Sequence, residues 1–143
     1  MKKIIFLSLF LIVSFSNVNA QAKRTSIISL SASVKSYHEK SQLEAMQKGP
    51  LLELYVERIR VLINTLPYIA LTTKPGVTIQ DVGIPDNSEN NKMLALQAEN
   101  TKTFLETTVA FQRTMMPYSD KGNIITSILY YESMLKELNQ MNE

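Results

Sequence analysis

Cysteine and tryptophan are both missing from the 143 residues, and histidine occurs once. The first absence rules out a disulfide, a thiolate nucleophile or metal ligand, and the Cys-linked lipid that anchors some exported bacterial proteins. With His38 as the one imidazole and no Gly-x-Ser-x-Gly turn to present a serine, the parts of a nucleophile–base pair are not assembled. The chain is therefore expected not to be an enzyme.

Metal and cofactor chemistry meets the same shortage. A di-iron bundle needs two Glu-x-x-His pairs, and one histidine cannot supply them. An axial haem pair can be drawn only from His38 with Met134 or Met46, and methionines at such places suit the filling of core gaps better. Asp86, Ser88 and Asn90 have the opening spacing of a calcium loop. Asn91 stands where that loop needs glycine, however, and Gln97 where it needs the bidentate glutamate. Glycine is scarce as well. Gly49, Gly76, Gly83 and Gly122 stand apart, so no phosphate-cradling loop is present. Neither a cofactor nor a metal is expected.

The N-terminus has what the rest lacks, a long apolar run. Met1-Lys2-Lys3 is a basic head, residues 4–13 (IIFLSLFLIV) are apolar, and a more polar tail ends at Val18-Asn19-Ala20. This is the build of a secretory signal peptide over residues 1–20, with cleavage after Ala20 or, at a second permissible place, after Ala22. The run is shorter than the roughly 20 residues that span a bilayer. The expectation is a bacterial protein of the periplasm or exterior with no stable membrane anchor after cleavage.

Removing 20 of 143 residues leaves 123 for one domain, residues 21–143. Lys2 and Lys3 leave with the leader, so 13 of the 15 basic residues remain against 13 acidic ones. A net charge of zero with no basic cluster gives nucleic acid no electrostatic footing as a partner.

The strongest periodic stretch is residues 50–72, PLLELYVERIRVLINTLPYIALT. Leu52, Ile59 and Leu66 recur every seven residues, Tyr55, Leu62 and Ile69 form a second row, and Val56, Ile63 and Ala70 widen the stripe. That predicts a helix with a broad buried face, bent or loosened at Pro67. Residues 21–48 read two ways. The alternation in ISLSASVKS suits a strand, while Ile27, Leu30, Val34 and Tyr37 also share a helical face. Helix is preferred, beginning near Thr25 or Ser26 or, if the serine-rich part is loose, near Ser36. Gly49-Pro50 then breaks it from the next helix.

A third helix is predicted from about Asn87 to Met115, with Asp86 as N-cap, and a fourth from about Asn123 to Asn139. The third has a diluted face: Leu94, Ala98, Phe104, Leu105, Phe111 and Met115, interrupted by Asn100, Thr101 and Thr108. The fourth has a clear one in Ile124, Ile128, Tyr131, Leu135 and Leu138, and Glu132 and Lys136 are spaced as an outward ion pair. The predicted class is all-α, an up-down four-helix bundle with a long loop between helices two and three.

That loop, Thr72 to Asn87, carries a Pro75-Gly76 type II turn and the apolar series Val77, Ile79, Val82 and Ile84. The series either plugs one end of the bundle or docks a partner. With no catalytic equipment present, the leading expectation is a non-enzymatic adaptor, inhibitor or immunity-type protein that binds another envelope or secreted protein. The contact would be made through this loop or the polar-diluted face of helix three, and self-association remains open. The alternative is a carrier or sensor of a small apolar ligand held near Pro67 by Tyr68, Phe104, Phe111 and Met115.

Overall fold

The computed structural model describes residues 25–141, so the leader and its cleavage positions lie outside the described residues. The described chain is all-α with four helices: α1 (Lys40–Ala45), α2 (Lys48–Thr65), α3 (Ser88–Met115) and α4 (Lys121–Gln140). Single 3-10 turns, Leu66–Tyr68 and Met116–Tyr118, follow α2 and α3. No strand forms among the described residues, although Ser26 and Thr78 make one isolated antiparallel bridge. Helix α2 is central, packing along α4 and α3, while α1 packs on α4.

Local chemistry explains the boundaries. Pro50 sits in the first turn of α2, where an amide has no partner within the helix. At the far end Pro67 cannot donate to Ile63, and the α-helix stops at Thr65 and tightens into the 3-10 turn. The loosening expected at Pro67 is thus present. The apolar stripe is corrected at both ends. Leu51 rather than Leu52 is fully buried, and Leu66, Ile69 and Ala70 face solvent because the helix ends before them. Helix α3 is capped by Asn87, whose Oδ1 accepts from the Asn90 amide at 2.8 Å. Asp86, the expected cap, instead accepts from the side chains of Gln80 and Asn91.

The main core joins Leu43 of α1, Leu51, Tyr55, Val56 and Ile59 of α2, Leu105 and Val109 of α3, and Ile124, Ile125 and Ile128 of α4. A second cluster gathers Ile27, Ile28, Ala32, Tyr68 and Ile79, with Val82, Ile84 and Leu94 packed against it. It exists because residues 25–39 are extended or turning, not helical as expected. The Ile27 amide donates to the Val77 carbonyl at 2.8 Å and the Gly76 amide to the Ile28 carbonyl at 2.9 Å. The alternation seen in the sequence is therefore used, over two hydrogen bonds, against the loop. Gly76 makes that pairing possible with φ 88°, where a β-carbon would also stand 2.8 Å from Leu30.

Helix α3 buries a different row from the one expected. Thr101, Leu105, Val109 and Gln112 face the core, whereas Phe104, Phe111 and Met115 are 57, 63 and 50% exposed. Thr101, which seemed to dilute the stripe, belongs to it, and Thr108 is half-buried.

Glu132 is also relocated. It does not pair outward with Lys136 but lies 2% exposed in the interior against Arg58, which is fully buried. Arg58 Nη2 donates to Glu132 Oε1 at 2.5 Å and Nε donates to the same oxygen at 3.1 Å. The rest of the guanidinium reaches Glu57 and the Ser36 carbonyl. His38 is likewise not on a helix surface. Its amide donates to Glu132 Oε2 at 2.9 Å, and its Nδ1 lies 3.2 Å from Arg58 Nη2 and 3.5 Å from Glu132 Oε1. Lys136 instead sets its ammonium 5.0 Å over the Tyr37 ring.

Candidate functional site

Four stretches that are distant in sequence converge beside Pro67. The proline ends α2, and its 3-10 turn swings Tyr68 inward while Leu71 stays at the surface. The loop supplies Ile79 and Ile84, the N-terminal segment Ile27, and the first turns of α3 supply Asn90, Met93, Leu94 and Gln97. Between them lies a cleft of about 390 Å³. Its size falls within the range of small-molecule and side-chain pockets.

No charged side chain lines this cleft; its polar groups are the amides of Asn90 and Gln97 and the phenol of Tyr68. Burial raises the Tyr68 pKa above its usual 10.0, so the phenol is neutral at physiological pH. Asn90 is itself engaged, donating through Nδ2 to the Pro85 carbonyl at 2.8 Å, which fixes that wall. The arrangement can accept an uncharged apolar group and can discriminate against a charged one, which would lose its hydration without gaining a counter-ion. It offers no nucleophile and no base.

The two sets of residues picked out by sequence separate here. Ile79 is buried, Val82 and Ile84 pack partly against it, and Val77 is half-buried with its carbonyl bonded to Ile27. Ile79 and Ile84 line the cleft, as does Tyr68 from the apolar-ligand set. Phe104, Phe111 and Met115 are not among its lining residues and stand in the open on α3. Sequence reasoning missed Ile27, Leu71, Met93 and Leu94. Met93 and Leu94 had a usable signal, since Leu94 begins the row that Thr101 and Leu105 continue.

A larger cleft of about 480 Å³ lies between the serine-rich segment Ser29–Lys35 and α2, reaching Arg113 of α3. Its two carboxylates are engaged, while the cations Lys35 and Arg60 also line it. Arg113 donates to Glu53 at 2.8 Å, and Glu57 is held by Arg58. Among the described residues no group of three or more His, Cys, Asp or Glu side chains is placed to hold a metal ion. Asp86, Ser88 and Asn90, which have calcium-loop spacing, begin α3 with Asp86 already bonded to two amide side chains. Nor is any helix among the described residues long and apolar enough to cross a membrane. No protein-family model matches the chain, and neither does any curated protein or any solved structure.

Proposed function

We propose that this is an exported, non-enzymatic protein that binds a protein partner through the charge-free cleft beside Pro67. The scaffold is read as an up-down arrangement of four helices in a single domain, left after the leader is removed. The short joints between α1 and α2 and between α3 and α4 support that reading. The partner is another protein of the bacterial envelope or exterior, and an adaptor, inhibitor or immunity role follows from binding without chemistry.

One observation carries the choice of a protein. The apolar surface continues past the cleft onto exposed Leu71 and Met93 at its rim, with Leu66 and Ile69 exposed on the adjoining turn. An exposed apolar patch that continues out of an apolar hollow is the kind of surface another protein covers. The partner would insert an uncharged apolar side chain between Tyr68 and Ile84.

Rim residues make the better test. Changing Val77, Ile79, Val82 and Ile84 together to serine would remove buried Ile79 from its cluster, so loss of folding and loss of binding would coincide. Leu71→Ser with Met93→Ser changes only exposed positions. Mild cross-linking in the native envelope fraction should capture a near-stoichiometric partner with the unaltered chain. The rim variant should lose that partner and keep its melting temperature. Equal capture by both would refute the site.

The second reading, a small apolar ligand in the same cleft, is favoured by the Tyr68 wall and by the absence of charge. It predicts a rise in melting temperature with neutral lipid or sterol-like compounds, abolished by Ile84→Asp. A flat response across such a set would remove it.

A further inference from the structure

We propose that the larger cleft, between the serine-rich segment and α2, is a second binding site and takes a hydroxylated carboxylate of the sugar-acid class. The proposal does not rest on the reading of the Pro67 cleft, with which this one shares no lining residue.

Two polar faces meet here. The N-terminal segment brings Ser29, Ser31, Ser33 and Lys35, the polar members of the alternation in ISLSASVKS. Helix α2 brings Glu53, Glu57, Arg60 and Asn64, which at about 100° per residue fall on one narrow stripe. Ala32, Val56 and Val61 line the same space from buried positions and give a ligand apolar contact. The volume of about 480 Å³ is that of a small-molecule site.

The charges do not cancel across the gap. Among the described residues Lys35 and Arg60 have no ion-pair partner, and both are exposed. The carboxylates nearest to Arg60 in sequence are already taken, Glu57 by Arg58 and Glu53 by Arg113 at 2.8 Å. Arg58 is shared with Glu132. Lys35, Arg58, Arg60 and Arg113 therefore stand against Glu53, Glu57 and Glu132, an excess of one positive charge. A carboxylate carries one negative charge and a phosphate monoester nearly two, so the excess matches the carboxylate. The planar fork of Arg60 can give it two parallel hydrogen bonds, and Lys35 adds a point charge.

The other groups suit hydroxyls. The Ser29 and Ser31 hydroxyls bond to each other at 2.9 Å, which uses one of their two O–H protons and leaves one to donate. Asn64 gives Nδ2 to the Arg60 carbonyl at 2.7 Å, so its Oδ1 stays available as an acceptor. Glu53 and Glu57 repel an anion but accept from a hydroxyl. Their place on the stripe sets the ligand's direction, with its hydroxyls beside the two glutamates and its carboxylate beside Arg60. Among the described residues no aromatic side chain lines the cleft, so the ligand is held by charge and hydrogen bonds and not by ring stacking.

Glucuronate, glucose and glucose 6-phosphate share a ring and differ in charge. In an amide NMR titration of the chain as its host processes it, glucuronate should saturate one site, with shifts at residues 29–35 and along α2. It should bind about tenfold more tightly than either of the others. Arg60→Gln should weaken glucuronate about tenfold, and Lys35→Gln by about half as much on a logarithmic scale. Neither should move the melting temperature, because both side chains are exposed and unpaired. Lys92→Gln removes the same charge from an exposed position on α3 and should leave binding unchanged. A glucuronate trimer distinguishes the source of the acid: tighter binding than the monomer assigns a polysaccharide unit, and equal or weaker binding a free acid.

No shift with any probe at about 10 mM would overturn the site. Equal binding of glucose would overturn the part given to the two cations, and tighter binding of glucose 6-phosphate the choice of a carboxylate. An equal loss in Lys92→Gln would overturn the location.

Discussion

The N-terminal segment meets the helices at two places and does opposite things there. At Ser36–His38 its backbone closes over Arg58 and Glu132, supplying a carbonyl and an amide to a pair withdrawn from solvent. At Ile27 it forms one wall of an apolar cleft that remains open. The closed place contains charge and the open one contains none, which reverses the usual order of interior and surface. A buried ion pair contributes little net stability but is costly to break, so the first fixes how the segment lies. An open apolar hollow is a cost to an isolated chain, and it persists where something else covers it.

The largest effect should come from breaking the closed place. Arg58→Met strands Glu132 without its counter-ion and should lower unfolding stability by about 3 to 5 kcal/mol in urea titration. Adding Glu132→Leu should recover most of that loss. If the double variant is no better than the single, the charge pair is not what the first change broke.

Leu62→Ala should follow, at roughly 2 to 5 kcal/mol, since Leu62 is buried with Val61 and Leu135. A loss near zero would move α2 out of its register.

Alkaline pH should produce a smaller and graded loss. Burial, aided by the Tyr131 hydroxyl, pushes the Tyr55 pKa up to about 12 from 10.0. The fold favours the neutral phenol, so this contribution is complete below about pH 10 and disappears as the pH rises through about 12. A decline on the order of 1 to 2 kcal/mol is expected across that interval, and Tyr55→Phe should flatten the part due to this residue. An unchanged slope in the variant would assign the decline to other groups.

The smallest effect belongs to α3. Phe111→Ser should alter the stability of the isolated chain by no more than about 0.5 kcal/mol, because the ring already faces water. A larger loss would mean that α3 has the core face the sequence first suggested.

What could be read without coordinates follows from which signals are local. Pro67 ending α2, Gly76 at positive φ, and the α4 stripe all depend on a single residue's stereochemistry or on an unambiguous period. Helix α3 was misread because it carries two apolar rows, and only packing selects Leu105 and Val109 over Phe104 and Phe111. Arg58 and Glu132 were invisible because a periodicity search scores apolar side chains, and nothing local reports that residues 74 apart in sequence will meet. The cleft was half legible. Pro67, Tyr68, Ile79 and Ile84 were each singled out, but their convergence depends on Ile27 lying extended against Val77 instead of continuing a helix.

The proposed binding of a partner in the open cleft beside Pro67 is tested by one paired measurement. Cross-linking capture from the native envelope fraction is run with the unaltered chain and with Leu71→Ser/Met93→Ser, alongside the melting temperature of each. A partner of defined mass should be captured near one to one by the first and lost in the second, with melting temperatures that agree. The same partner captured equally by both chains would contradict it.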